Sequence, residues 1–347
     1  MADPVVDVDG SRRRVAPLTP SGARTTRTGA GTRPATAQSP AALEASERAT
    51  PSRRPDGPAV VALGGGHGLA VALRAIRRYA GTITAVVSVA DDGGSSGRLR
   101  RDLGVPAPGD LRKCLVALAG DDTVWEEAFE HRFVGGELHG HALGNLVIVG
   151  LTEVLGDFTR ALEEAGRLLH AIGRVLPATT DPVVLKADVE GEPVEGQVAV
   201  QNSRGRVRKV ELVPGDATAC PDAVRAIAEA DQIVLAPGSL FTSLIPVLCV
   251  HELRDAVAQA EGRVIQVANL RPQVPETEGL DATDHLRAVL DHGARVDAFV
   301  YQRDGALVAD DAAIRARNVL PVGANVTGGD RETHDPVRLA VTLTALL

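Results

Sequence analysis

Strand-like and helix-like apolar segments alternate along most of this chain, and few folds accommodate that pattern. The apolar run Ala59–Leu63 ends in glycines, and the apolar residues of Leu69–Tyr79 recur at helical spacing. The β-branched run Thr82–Val89 follows. This alternation predicts an α/β fold, a doubly wound Rossmann-like parallel sheet with right-handed crossovers and helices on both faces. Further strands are predicted at Gln232–Ala236, Arg263–Ala268 and Val296–Tyr301, and further helices at Leu111–Leu118, Asn145–Leu155, Asp222–Glu229 and Asp284–Leu290.

The middle of the chain departs from this rhythm. Three short β-like runs, Val183–Val189, Gln197–Val200 and Val207–Val213, are separated by turn-forming residues. They predict a small antiparallel β insertion at about residues 180–213. Because the parallel framework continues on both sides of the insertion, we expect residues 58–347 to form a single α/β domain. The first 57 residues are rich in Arg, Ser, Thr and Pro and are predicted to form a disordered tail.

Composition excludes several classes of function. The net charge of -8 and an aromatic content of 2% argue against a nucleic-acid-binding protein. The three cysteines are far apart, which disfavours a disulfide framework and fits a cytoplasmic protein. The stretch Gln232–His251 carries no formal charge, but Pro237, Gly238 and Pro246 interrupt it. A strand, a loop and a helix are therefore expected there rather than a membrane span.

The glycine-rich segment Gly64–Gly68 lies between the first predicted strand and helix. Glycines let a backbone approach a ligand closely, and the N–H groups that begin a helix suit a phosphate. The segment is neither a G-x-G-x-x-G fingerprint nor a P-loop, so it predicts a phosphate or nucleotide of unspecified type. The alternative is a tight strand-to-helix turn.

A second polar loop, Asp91–Arg98, follows the next strand. Its two aspartates are able to bind ribose hydroxyls or a hard cation such as Mg²⁺, and its serines and arginine to bind phosphate. The alternative is a solvated Asx-turn. In a doubly wound sheet this loop would lie near the first one, at the carboxyl ends of the strands.

Three more loops carry polar groups next to predicted helices. In Pro108–Lys113, Asp110 is able to act as a helix N-cap, and the alternative is that Arg112 and Lys113 face an anion. Gly140–Leu146 places a histidine and an asparagine before an apolar helix, whereas zinc binding is disfavoured because no cysteine accompanies the histidines. Pro237–Ser243 offers a further helix N-terminus for a diphosphate or a sugar, or simply a cap formed by Ser239 or Thr242.

Taken in this order, the loops resemble those of the YvcK-type gluconeogenesis-factor family, which shares a superfamily with the 2-phospho-L-lactate transferases of deazaflavin-cofactor biosynthesis. The matching motifs are GGGHGL at Gly64–Leu69, VADDGGSSGRLR at Val89–Arg100, PGDLR at Pro108–Arg112, GHALGNL at Gly140–Leu146, GRVLP at Gly173–Pro177, PGSLFTS at Pro237–Ser243 and HDP at His334–Pro336. Each motif alone is weak, but together they are specific.

This resemblance implies a cytoplasmic regulator that binds a UDP-sugar such as UDP-N-acetylglucosamine and links carbon metabolism to cell-wall synthesis and cell shape. It brings no established reaction. It also implies protein partners of unknown identity and is compatible with a homo-oligomer. The competing hypothesis is a Mg²⁺-dependent transferase that resembles the 2-phospho-L-lactate enzymes. A nicotinamide dehydrogenase is less favoured, because the glycine pattern does not match.

The expected ligand contacts follow the loops. The diphosphate is assigned to the first and last loops, a ribose or Mg²⁺ to Asp91 or Asp92, and the sugar to His141 and Asn145. Two departures from the family are expected to alter ligand contacts: Gln273–Thr277 reads QVPET instead of QPGET, and Thr333 replaces an arginine. The predicted ligand-binding residues are Gly64, Gly65, Gly66, His67, Gly68, Asp91, Asp92, Gly93, Ser95, Ser96, Arg98, Asp110, Arg112, His141, Asn145, Gly238, Ser239 and Thr242.

Overall fold

A computed structural model describes residues 56–120, 124–329 and 332–347 of the chain. The predicted tail, residues 1–57, lies outside the described residues apart from Asp56 and Gly57. The strands are β1 (Ala59–Gly64), β2 (Thr82–Val87), β3 (Arg174–Pro177), β4 (Val184–Val189), β5 (Glu192–Glu195), β6 (Val207–Val213), β7 (Gln232–Leu235), β8 (Arg263–Val267), β9 (Ala298–Gln302) and β10 (Leu320–Ala324).

Helices connect most of these strands. They are α1 (Gly66–Ile76), α2 (Gly94–Leu103), α3 (Gly109–Ala117), α4 (Val124–Glu130), α5 (Leu143–Leu155), α6 (Phe158–Leu168), α7 (Gln197–Asn202), α8 (Pro221–Ala228), α9 (Ile245–Leu248), α10 (His251–Gln259), α11 (Ala282–Asp291), α12 (Asp311–Arg315) and α13 (Pro336–Thr344), with a π-helix at Leu240–Leu244. In the part of the chain that is described, none of these helices is both long and apolar enough to cross a bilayer.

Seven strands form one parallel sheet in the order β10-β9-β8-β7-β1-β2-β3. The central strand, β1, pairs with β2 on one side and β7 on the other, and Val60 to Leu63 within it are buried. Right-handed crossovers that run in opposite directions from β1 place helices on both faces of the sheet. The predicted fold class is confirmed, since the sheet is parallel and its central strand is buried.

The second sheet is antiparallel, with the order β5-β4-β6. It confirms the predicted insertion, and β4 and β6 match the predicted runs to within one residue. The prediction of a β-like run at Gln197–Val200 is wrong, because these residues begin α7. The third strand is instead β5, which contains the Pro193 that had indicated a turn. An edge strand tolerates this proline, which lacks an N–H, because the outward-facing positions of an edge strand need no donor for pairing.

Candidate functional site

The loops after β1 and β7 meet where the strand order reverses. A Cβ atom added to Gly68 would overlap the carbonyl oxygen of Pro237, so the two loops are in direct contact. Doubly wound sheets bind their ligands in the crevice at this reversal, beyond the carboxyl ends of the strands. The five segments at or near these strand ends, here called the loop edge, are Gly64–Gly68, Asp91–Arg98, Pro108–Lys113, Gly140–Leu146 and Pro237–Ser243.

Packing accounts for several glycines of the first segment. A Cβ on Gly65 would lie 2.6 Å from Oδ2 of Asp110, and Gly66 has a φ of +63°. Gly68 is required by its contact with Pro237. These glycines would therefore be needed without any ligand, and the ligand-binding interpretation depends on the N–H groups of this segment instead.

Three helices begin at the loop edge without a side-chain cap. The residues before α1, α2 and α3 are Gly65, Gly93 and Pro108, and none supplies a capping hydrogen bond. Among the described residues, the first three N–H groups of each of these helices have no acceptor. By contrast, Asp157 and Asp310 cap α6 and α12 with their carboxylates. Open N–H groups and positive dipole ends therefore gather at this edge.

Asp91 and Asp92 direct their carboxylates to different partners. Asp91 Oδ1 accepts the N–H of Gly93 at 3.0 Å, which is the Asx-turn considered as an alternative. Asp92 Oδ2 and Oδ1 accept the N–H groups of Gln197 and Val198, each at 3.0 Å. The predicted pairing of Asp91 with Asp92 around one Mg²⁺ does not fit this arrangement, because Asp92 caps α7.

Asp91 instead faces the first turn of α3. A Cβ on Gly109 would overlap Ser96 Oγ and lie 3.4 Å from Asp91 Oδ2. Burial raises the pKa of Asp91, and the charge of nearby Asp110 raises it further. Asp110 lies in the first turn of α3 rather than at its N-cap, and its Oδ1 pairs with Lys113 Nζ at 3.0 Å. Within the described residues, no group of three or more His, Cys, Asp or Glu is placed to hold a metal ion.

His67 lies in the first turn of α1, next to the same charged groups. Burial lowers the pKa of His67, and Lys113 lowers it further while Asp110 opposes this effect. The imidazole is therefore neutral near pH 7 and offers one donor and one acceptor without a charge.

Ser95, His141 and Asn145 form a buried hydrogen-bonded group. Asn145 Nδ2 donates to Ser95 Oγ at 3.0 Å, and Ser95 Oγ lies 3.1 Å from His141 Nδ1. Burial lowers the pKa of His141, with a further contribution from Arg98, so its Nδ1 is able to accept the Ser95 hydroxyl proton. Oδ1 of Asn145 is buried without a partner among the described residues. The second and fourth loops, predicted separately, thus meet here.

The two predicted arginines are already engaged with the protein. Arg98 donates to the carbonyl of His139 at 2.8 Å. Arg112 is 1% exposed, donates to the Phe129 carbonyl at 3.0 Å and pairs with Glu130 at 2.7 Å. Arg112 therefore anchors α4 to α3, whereas Arg98 orients the loop that leads to His141.

The last segment is held by a residue that the sequence analysis did not identify. Glu276 Oε1 accepts the N–H groups of Phe241 and Thr242 at 2.8 and 3.1 Å, and its Oε2 accepts the Thr242 hydroxyl. Glu276 thus caps the π-helix, which neither Ser239 nor Thr242 does. Burial raises the pKa of Glu276 despite these donors.

Asn269 is the second residue that the sequence analysis missed. Its Oδ1 accepts the N–H of Gly238 at 2.7 Å, and its Nδ2 donates to the Gly238 carbonyl at 2.8 Å. In the sequence, Asn269 was indicated only by its position after β8, and Glu276 only by the QVPET motif. That motif closes as a turn without its usual glycine, since Thr277 N donates to the Gln273 carbonyl at 2.7 Å.

The fold and the loop edge define a doubly wound α/β protein whose glycine- and aspartate-containing loops lie together at the point of strand reversal. The chain belongs to the CofD family: a family model described as "2-phospho-L-lactate transferase CofD" matches residues 60–335. A "gluconeogenesis factor" of Halalkalibacterium halodurans is 43% identical over 235 residues, 67% of this chain and 73% of the relative. The "gluconeogenesis factor" of Bacillus subtilis is 41% identical over 237 residues, 68% of this chain and 75% of that protein.

Coverage of the relatives differs. A relative from Nostoc is 44% identical over 235 residues, and the match spans only 52% of its length. Among solved structures, a member of the UPF0052 family from Bacillus halodurans superposes with a TM-score of 0.79 at 35% identity. That superposition covers 83% of this chain and 98% of the other. The predicted family resemblance is confirmed.

Proposed function

We propose that this protein is a cytoplasmic regulator that binds a UDP-sugar, such as UDP-N-acetylglucosamine, at the loop edge. The observation that carries the proposal is the convergence of α1, α2 and α3, whose first N–H groups have no acceptor among the described residues. A diphosphate accepts hydrogen bonds from such groups and is favoured by the dipoles behind them. Gly65 contacts Asp110 and Gly109 contacts Ser96, so the three helix ends adjoin.

The contacts refine where the diphosphate would bind. Glu276 and Asn269 already use the N–H groups of Phe241, Thr242 and Gly238. The segment Pro237–Ser243 would therefore line the site without donating these N–H groups to the ligand. The N–H groups that bind the diphosphate would come from α1, α2 and α3. The pairing of Asp110 with Lys113 reduces the negative charge that a diphosphate would meet.

The sugar would lie beside the group formed by Ser95, His141 and Asn145. Hydroxyl and amide groups of a sugar require both donors and acceptors, which a neutral histidine and an asparagine provide. The relatives named gluconeogenesis factors favour a regulatory role in carbon metabolism. A link to cell-wall synthesis and cell shape is part of the same proposal, because a UDP-sugar is a building block for polysaccharides.

Calorimetry with UDP-N-acetylglucosamine tests the proposal, with and without Mg²⁺. Gly93, before α2, has a φ of -91° and a ψ of 158°, which an aspartate N-cap adopts readily. Gly93→Asp is expected to abolish binding by occupying the N–H groups of α2. Gly93→Ala adds the same Cβ, 3.0 Å from Val198 Cγ2, without the carboxylate and is expected to retain most binding.

Absence of binding heat with the unmodified protein at millimolar ligand would contradict the proposal, as would equal losses in the two variants. The family description leaves a second candidate, a Mg²⁺-dependent transferase. Its cation would be held by the carboxylates of Asp91 and Asp110, which lie close enough for the charge of Asp110 to raise the pKa of Asp91. Incubation with a deazaflavin acceptor and an activated phospholactyl donor distinguishes the two. Binding of the UDP-sugar without product formation would reject the transferase.

A further inference from the structure

A groove lined by cations lies between β6 of the antiparallel insertion and helices of the main domain. Two adjoining cavities of about 480 and 220 Å³ share Arg208, Asp291 and His292 in their lining. One wall is β6 and the other is the last turn of α11 with the residues after it. The groove differs in position from the loop edge and touches it only through Phe241, which lines the smaller cavity.

Positive charge is concentrated on the β6 wall. The segment Arg204–Lys209 carries four basic residues in six positions, all four exposed, in a chain whose net charge is -8. Arg206, Arg208 and Lys209 from this segment line the two cavities, and Arg254 and Arg287 add two cations from the main domain. Such a concentration of cations on an acidic protein creates a local positive potential that attracts anionic partners.

Ion pairs within the protein involve four of the five cations that line the two cavities. Asp284 lies within ion-pair distance of both Arg206 and Arg287, and Lys209 pairs with Glu211 at 3.3 Å. Arg208 forms none of the ion pairs found among the described residues, although Asp291 lines the same two cavities. A carboxylate brought into the groove would therefore find a free guanidinium at its centre.

The base of the groove is apolar and rigid. Val210, Leu212 and Leu248 are at most 5% exposed. His292 fixes the wall, since its Nε2 accepts the Val210 N–H at 3.1 Å and its Nδ1 donates to the Ala288 carbonyl at 2.7 Å. The Cys249 thiol donates to the Val210 carbonyl. Because the outward N–H and C=O of Val210 are used in this way, side chains rather than strand addition would recognise a partner here.

We propose that this groove is a docking site for an acidic segment of a partner protein. Cations that alternate with acidic residues favour spaced carboxylates on a polypeptide over a nucleic acid, whose phosphates would meet Glu211, Asp284 and Asp291. The apolar base would accept side chains between those carboxylates. Exposed charge on this scale contributes mainly to the rate and selectivity of association.

Selection of peptides from a phage-displayed library of random 12-residue sequences on the full-length protein tests the proposal. We expect the selected peptides to be enriched in Asp and Glu. Their binding, measured by fluorescence anisotropy, should weaken about tenfold or more in Arg206→Glu/Arg208→Glu, because two attractive charges become repulsive. The matched control is Arg315→Glu/Arg317→Glu, which reverses two exposed charges at the same spacing outside both cavities.

Three outcomes would overturn the proposal. The first is a set of selected peptides without an excess of acidic residues, and the second is equal weakening in the two double variants. The third is tighter binding of a labelled single-stranded DNA or of an anionic phosphatidylglycerol vesicle than of the peptides, if that binding disappears in Arg206→Glu/Arg208→Glu. The groove would then recognise a polyanion or a membrane. Circular dichroism of both double variants separates loss of charge from loss of folding.

Discussion

The carboxylate of Asp92 caps the helix that begins at Gln197, 105 positions further along the chain. Its two oxygens accept the N–H groups of Gln197 and Val198, each at 3.0 Å. A Cβ on Gly196 would lie 2.7 Å from the same carboxylate, so the cap requires a glycine there. Because α7 also packs against the π-helix, the insertion rests on two segments of the loop edge.

Replacement of Asp92 by alanine is expected to loosen α7 selectively. Loss of an N-cap costs about 1 kcal/mol, and here it removes the acceptor for two N–H groups. Hydrogen exchange of residues 197–202 should accelerate about fivefold or more, as measured by mass spectrometry. Asp157→Ala removes a comparable cap, that of α6, and should leave exchange in α7 unchanged. Unaltered α7 exchange in Asp92→Ala would contradict the capping role.

A side chain at position 68 is expected to force the first and last segments of the loop edge apart. The Cβ of Gly68→Ala would overlap the Pro237 carbonyl, which is backbone and has little room to move. We expect a loss of about 2–3 kcal/mol in the free energy of unfolding, measured with urea, together with weaker UDP-sugar binding.

The control for this change is Gly150→Ala. Gly150 is also a helical glycine, in α5, but it is exposed and a Cβ there would meet no atom within 4 Å. Alanine should therefore stabilise the protein by about 0.5–1 kcal/mol through its helix propensity. Destabilisation of similar size in both variants would show that the contact with Pro237 is not the cause.

The sheet was predictable because its central strands are short runs rich in apolar and β-branched residues, separated by helical segments. Ala59–Leu63 and Thr82–Val89 allow few placements other than neighbouring parallel strands. Gln197–Val200 was not predictable, because four residues of mixed propensity do not distinguish a strand from a helix. Its conformation depends on Asp92, which no local pattern reveals.

The position of the loops in the fold was predictable from the sequence, whereas most of their contacts were not. Loops at the carboxyl ends of neighbouring parallel strands lie close together, which is why the first and second loops were expected to adjoin. The contact of Ser95 with His141 and Asn145 was not predicted, because the fourth loop lies between two helices. Asp91 accepts an N–H within its own loop, whereas Asp92 accepts two N–H groups of α7 in the distant insertion, which no local pattern predicts. Glu276 was missed because a cap supplied from 34 positions away depends on tertiary packing.

Replacement of Glu276 by alanine is expected to destabilise the π-helix and the last segment of the loop edge. It leaves the N–H groups of Phe241 and Thr242 buried without an acceptor, at a cost of about 1–3 kcal/mol for each group. Glu276→Gln keeps one acceptor oxygen and should lose less. The free energy of unfolding and UDP-sugar binding are the quantities to measure.

Asp310→Ala provides the matched control for Glu276. Asp310 also accepts two N–H groups, those of Ala312 and Ala313, but it is exposed, so water replaces it. A loss of about 1 kcal/mol is expected. If Glu276→Ala cost no more than Asp310→Ala, the buried cap would have no special importance for the loop edge.

His334 is expected to make the stability of the protein depend on pH. Burial lowers the pKa of His334 from 6.5 to about 4, and its Nε2–H donates to the Ala268 carbonyl at 3.2 Å. Below pH 6.5 the unfolded chain binds a proton at this histidine that the folded chain excludes, so stability falls as the pH is lowered. Between pH 7.5 and 4.5 this contribution amounts to about 2–3 kcal/mol.

Urea unfolding at several pH values should show that this part of the decrease disappears in His334→Gln, which keeps a donor but does not titrate. It should persist in His251→Gln, because His251 is exposed. A constant difference in stability between the unmodified protein and His334→Gln across this range would show that His334 titrates alike in the folded and unfolded chains.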